Sequence, residues 1–168
     1  MKPSVIVADT SPLIALAVMD LISILPDLFE SFYVPTAVVN ECLLDLTKPK
    51  ASIIQQAIAK KIIVEKSPSD TTFCTLLSAV LDPGEAEAIA LAKELGVAVL
   101  MDERAGRNVA VREGVECIGS LYCLIRAKQN GLIKAAAPLS IELQRHGYYL
   151  HETLIQKVLK SCKEKMKP

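Results

Sequence analysis

The chain has 168 residues, 51% hydrophobic and 23% charged, which suits one folded domain with a real core and excludes a disordered chain. Net charge is zero, with 19 Lys plus Arg against 19 Asp plus Glu, and aromatic residues make up only 4%, with no Trp. So few aromatic rings argue against a stacking platform for single-stranded nucleic acid.

The charge is unevenly placed. Residues 1–100 carry 7 Lys/Arg and 12 Asp/Glu, and residues 101–168 carry 12 and 7. An acidic half beside a basic half suits a metal site next to a grip for a polyanion, and it suits a solvated basic tail equally well. The five cysteines (Cys42, Cys74, Cys117, Cys123, Cys162) are odd in number and form no CxxC pair. That argues against a disulfide framework or a zinc site and for a reducing cytoplasm. Asp9, Pro12 and Asp20 interrupt the apolar N-terminal run, which therefore reads neither as a signal peptide nor as a membrane span.

In chain order, Ser4–Ala8 is a continuous apolar run, expected as a strand buried on both faces. Asp9-Thr10-Ser11-Pro12 stops it and opens a helix, with Ser11 as N-cap and Pro12 at the first position. Two short apolar helices follow to about Leu28. Phe32–Pro35 is the second strand, and Thr36 opens a helix that carries Val38, Val39 and Glu41.

Residues 49–60 form a helix, Ile62–Val64 a third strand, and 69–81 another helix. Asp82-Pro83-Gly84-Glu85 supplies an N-cap, a first-turn proline and a capping-box glutamate, and Gly96 ends that helix. Ala88, Ile89, Ala92 and Leu95 are its buried stripe. Val97–Met101 is the fourth strand, 103–113 a helix closed by Gly114, and Val115–Ile118 the fifth strand. Ser120 caps a helix to about Asn130, and residues 138–168 hold one or two amphipathic helices. Strand and helix alternate about five times. The expected fold is therefore α/β, a three-layer α/β/α domain with a mostly parallel central sheet over 1–133 and a packed helical extension over 134–168.

Ligands of such sheets bind at the carboxyl ends of strands. Asp9 follows strand one and Asp102 follows strand four, so both face that crevice. Glu41 and Glu85 reach it from helices, Glu85 on the side of Ile89 and Ala92. Glu87 falls roughly opposite, with Leu91 and Glu94, and is expected solvated or peripheral. Carboxylates at the ends of apolar strands need a neutralising partner, and oxygen donors select a hard cation such as Mg²⁺ or Mn²⁺. Singly, each acid has a plainer reading. Asp9 suits a turn, Glu41 a helix surface, Glu85 a capping box and Asp102 a cap for the next helix.

No GxGxxG, P-loop or GxSxG motif is present, and His146 and His151 lie far from the acids, at the surface or at helix ends.

Val5-Ile6-Val7-Ala8-Asp9-Thr10-Ser11, Val34-Pro35 with Val38-Val39-Asn40-Glu41, Gly84-Glu85-Ala86-Glu87-Ala88-Ile89-Ala90-Leu91-Ala92 and Leu100-Met101-Asp102-Glu103-Arg104 together resemble the PIN-domain ribonucleases. That is the fold of the VapC-type toxins of toxin–antitoxin pairs. The nearest likeness is to a prokaryotic branch with a Glu in a GExxAI helix, followed by xGRxxAxxxG, here Ala105–Gly114.

The resemblance implies that Asp9, Glu41, Glu85 and Asp102 bind Mg²⁺ or Mn²⁺ and hydrolyse RNA. Many members carry a further acid just after the fourth, for which Glu103 or Glu87 would substitute. Thr10 and Ser11 would orient water, and Arg104 and Arg107 would hold the substrate phosphate. It also implies a homodimer and an antitoxin partner. The apolar residues 13–25 are available to a dimer or to the core, and Lys157, Lys160, Lys163, Lys165 and Lys167 to RNA or to a loose tail. The alternative is a catalytically silent PIN fold that binds RNA or protein.

Overall fold

The computed structural model describes residues 5–165, so Ser4 at the start of the first strand and Lys167 in the basic run lie outside the described residues. The first half of the described chain forms β1 (Val5–Ala8), α1 (Thr10–Val18), a 3₁₀ turn (Ile22–Ile24), α2 (Leu25–Leu28), β2 (Ser31–Val34), α3 (Thr36–Cys42), α4 (Pro49–Ala59), β3 (Val64–Glu65) and α5 (Thr71–Leu77). It continues with α6 (Pro83–Leu95), β4 (Ala98–Leu100), α7 (Arg104–Arg112), β5 (Cys117–Ile118), α8 (Ser120–Gln129), α9 (Ala137–Arg145) and α10 (Glu152–Ser161).

The strands form one sheet in the order β3-β2-β1-β4-β5, and every pairing is parallel. Successive side chains on a strand point to opposite faces, and the core divides accordingly. Ile6, Ala8 and Leu100 pack with α1, α4, α8, α9 and α10. Val7, Val99 and Met101 pack on the other face with α6 and with Ala110 of α7. Both faces of the sheet are covered, which makes three layers and explains why β1 reads as unbroken apolar sequence.

The chain builds β1, β2 and β3 in one direction and then crosses back to place β4 on the other side of β1. The order therefore reverses between β1 and β4, where a crevice opens at the carboxyl ends.

Several local expectations are corrected. Asp9, not Ser11, occupies the N-cap of α1, without a side-chain capping bond. Ile62 and Ile63 precede β3 rather than belong to it. Lys61 takes φ 57° and the Ile62 amide donates to Ala57 O at 2.9 Å, closing α4, so the apolar pair marks a helix end tucked into the core. The helix expected over 69–81 is shorter, capped by Asp70 at Thr71. Gly119 rather than Ser120 is the N-cap of α8.

α6 is buried more widely than one stripe. Leu91 is 0% exposed, while Leu95 is only partly buried. Gly96 ends α6 at φ 65°, the left-handed region that suits glycine.

Leu13, Leu16, Met19, Leu21 and Leu25 are all buried inside this chain, so a dimer could not use them. α1 and the turn-helix pair that follows resemble a bent membrane span by composition, and most of their apolar side chains lie in the core. Among the described residues no single helix is long and apolar enough to cross a membrane. All five cysteines are free.

The C-terminal extension contains two helices: α9 packs against α1 and α10 against α8. Glu164 accepts from the Ala136 amide at 2.9 and 3.0 Å and from the Ala137 amide at 3.0 Å, and it pairs with Lys128 of α8 at 3.3 Å. Lys157 and Lys160 therefore stand on a folded helix rather than on a loose tail.

Candidate active site: an acidic cleft at the sheet reversal

Asp9 leaves β1 at the reversal point, where its amide donates to Leu100 O at 3.0 Å and ties the last residues of β1 and β4 together. The residue is 3% exposed. Thr10, the first residue of α1, donates from Oγ1 to Glu41 Oε2 at 2.8 Å, which holds the α3 carboxylate beside Asp9.

α6 delivers the next two acids. Asp82 Oδ1 accepts from the Glu85 amide at 2.8 Å, and Glu85 Oε2 accepts from the Asp82 amide at 3.3 Å. This reciprocal box fixes both carboxylates at the mouth of the crevice. Two glycines let the helices approach. A Cβ on Gly84 would stand 3.2 Å from Glu41 Oε2, and one on Gly106 would stand 3.0 Å from Glu85 Oε1 and collide with Met101 Sδ. Gly106 of the Ala105–Gly114 segment is thus a packing requirement of the site.

Asp9, Thr10, Ser11, Glu41, Asp82, Glu85 and Glu103 line a cleft of about 490 Å³. Burial raises the Asp9 carboxyl to about 7; the Thr10 amide opposes the rise, and the charges of Asp82, Glu85 and Glu41 add to it. Glu85 is also raised, first by burial and then by Asp82, Glu103 and Glu41, against the Asp82 amide. A carboxyl held protonated near neutral pH marks a cluster that lacks compensating positive charge.

Asp102 stands apart from this group. Its Oδ1 accepts from the Ser120 amide at 2.8 Å, so it caps α8 rather than α7, whose N-cap is Glu103. Its Oδ2 is buried with no hydrogen-bond partner. Burial raises the Asp102 carboxyl, against the Ser120 bonds and the charge of Arg107. Asp102 lines a second, larger cleft, and Glu103 lines both.

The structure therefore gathers Asp9, Glu41 and Glu85 in one cleft and turns Asp102 into the next. Sequence reasoning read Asp82 only as a helix cap and missed it as a wall of the cleft. Its position three residues before Glu85 was the available signal. Glu103, named from the resemblance, stands where the two clefts meet.

Glu87 is peripheral to the cleft. It is half-buried and its Oε2 accepts from the Ala37 amide at 3.0 Å, capping α3 outside the cleft. Arg107 is half-buried and donates from a guanidinium nitrogen to Met101 O at 2.7 Å, while Arg104 is exposed and lines neither cleft. Ser11 lines both clefts, and its carbonyl accepts from Tyr148 OH at 3.1 Å. His151 caps α10 and lines neither cleft, but His146, which ends α9, lines the second cleft with Asp102 and Glu103, so it is not far from the acids as expected.

The donor set fits a hard divalent cation chemically. Every donor is an oxygen, Asp9 and Glu85 are raised first by burial and then by neighbouring carboxylates, and one buried Asp102 oxygen has no partner. The side chains do not yet close on one point: among the described residues no three His, Cys, Asp or Glu side chains converge to hold an ion.

The fold is thus a parallel five-stranded α/β/α domain with acids gathered at its sheet reversal. The family model described as a PIN domain (DUF3368) matches residues 5–164, nearly the whole chain, and the protein belongs to that family. PIN domains are generally nucleases and generally use divalent metals. The match includes α9 and α10, beyond the segments that carried the resemblance. No curated protein matches the chain.

Proposed function

We propose that this protein is a metal-dependent ribonuclease that cuts RNA endolytically at the acidic cleft, in the manner of a toxin of a toxin–antitoxin pair. The buried Asp9 beside Glu41, Asp82 and Glu85 at the sheet reversal carries this reading. Asp9, Glu41 and Glu85 would hold Mg²⁺ or Mn²⁺, with Asp102 contributing its unpaired oxygen and Glu103 standing between the clefts.

The bound cation would supply Lewis-acid stabilisation of charge on the phosphodiester and would acidify attacking water. Thr10 keeps the Glu41 carboxylate beside Asp9, and the Ser11 hydroxyl can orient water at the mouth. Arg107, already anchored on Met101 O, offers positive charge to a phosphate entering past Asp102. An antitoxin would cover the acidic cleft, and a homodimer would have to use a face other than the buried Leu13, Leu16, Met19, Leu21 and Leu25.

Two observations favour a second reading, a catalytically silent RNA- or protein-binding fold: Asp102 is committed to the Ser120 amide, and the acids among the described residues do not converge. Cleavage of a labelled RNA pool with Mn²⁺, Mg²⁺ or EDTA, run beside Asp9→Asn, decides between them. Loss of cleavage with EDTA and with the variant supports the nuclease. Full activity in Asp9→Asn rejects it, and RNA binding without cleavage under any metal favours the silent module.

A further inference from the structure

Three of the chain's four tyrosines meet in one place, although low aromatic content argued against a stacking surface. Tyr122 of α8 and Tyr148 and Tyr149 of the α9–α10 connection line the second cleft, about 940 Å³, which also contains Asp102 and Glu103. Tyr148 is held in the wall by its bond to Ser11 O, and it lines the acidic cleft as well, so the two clefts are adjacent and share a wall.

Tyr149 is 87% exposed and Leu154 is 41% exposed, so the cleft presents apolar surface that the fold itself does not bury. Lys157 of α10 and Arg107 of α7 bring positive charge to the same walls. Aromatic rings with cations in a concave groove match unpaired nucleotides. A base stacks on a ring and a phosphate meets a cation, whereas a duplex keeps its bases stacked inside.

We propose that this cleft binds unpaired nucleotides of an RNA strand next to the acidic cleft, with Tyr149 stacking a base and Lys157 and Arg107 facing phosphates. The binding stands on the cleft's own residues, and only the word "substrate" for that strand rests on the nuclease reading.

The test is equilibrium binding of a fluorescent random-sequence single-stranded RNA pool, and of a matched duplex, to the full chain in EDTA, where cleavage is suppressed. Tyr149→Ala should weaken single-strand binding about tenfold, the loss expected for one stacked base, and Tyr149→Phe should restore it. Lys157→Ala should weaken binding and flatten its salt dependence. Tyr149 and Lys157 are both exposed, so neither change should unfold the protein. Unchanged single-strand affinity in Tyr149→Ala, or a duplex bound as tightly as the single strand, overturns the proposal. So does absence of RNA binding together with capture of a protein partner that Tyr149→Ala abolishes. Tyrosine-dependent binding without cleavage under any metal would reject the nuclease reading and leave the groove intact.

Discussion

Asp102 caps α8 through the Ser120 amide at 2.8 Å while its other oxygen is buried without a partner. One carboxylate thus serves as both a structural acceptor and a candidate ligand. The two roles are separable. Asp102→Ala removes the acceptor and should lower stability by about 1–2 kcal/mol, the usual cost of a lost helix-cap bond. Asp102→Asn keeps an oxygen for Ser120 and should lose less, yet it should abolish RNA cleavage as fully as Ala. Urea unfolding beside a cleavage assay separates the effects. Equal stability of the two variants would mean that the Ser120 bond contributes nothing.

The Asp9 carboxyl, raised to about 7, makes the metal-free protein sensitive to pH. Its folded pKa lies above its unfolded one, so the native state keeps the proton longer. The stability from this group is therefore present at low pH and lost as pH rises through about 7. In EDTA the native sequence should lose thermal stability relative to Asp9→Asn between about pH 4 and pH 7, by at most about 4 kcal/mol. Above that range, Mg²⁺ should raise the unfolding midpoint of the native sequence and leave Asp9→Asn unmoved. A flat difference between the two proteins across the range would contradict the buried, uncompensated acid.

Gly106 sits where a Cβ would strike Met101 Sδ and press on Glu85. Gly106→Ala should cost about 1–3 kcal/mol through overpacking and should reduce cleavage by displacing Glu85. Met101→Ala opens room for that Cβ, so the double variant should lose less stability than the two single losses added together. Strict additivity in the double-mutant cycle would show that the contact is not the cause.

Glu164 fastens the extension to the core. Burial tends to raise its carboxyl, but the Ala136 and Ala137 amides and Lys128 together hold it below the usual glutamate range. A lowered folded pKa contributes stability above the unfolded value and loses it as pH falls through the folded one. Glu164→Ala should therefore be clearly less stable than the native sequence near neutral pH, and the gap should narrow as the pH falls below the ordinary glutamate range. A gap that stays constant would place the loss in packing rather than in charge.

The alternating apolar runs and the punctuation at Pro12, Pro83, Gly96 and Gly114 were enough to place five strands among helices, because burial on both faces leaves continuous hydrophobic sequence. The capping box at Asp82 and Glu85 was equally readable, since it depends only on residues three apart. Local pattern was less reliable where core burial imitated strand pairing, as at Ile62 and Ile63, and where a cap position depended on how the chain left a strand, as at Asp9 and Ser11.

Sequence alone determined which acids end strands and open helices, because these follow from local periodicity and capping. Tertiary structure decided which strands are neighbours, and strand pairing joins residues far apart in the chain. The order β3-β2-β1-β4-β5 set Asp9 beside the end of β4 and brought Glu41, Asp82 and Glu85 around it. The same packing turned Asp102 towards Ser120 and drew Tyr122, Tyr148 and Tyr149 into one cleft. No local signal could show this, because it depends on where α8 and the α9–α10 connection dock against the start of α1.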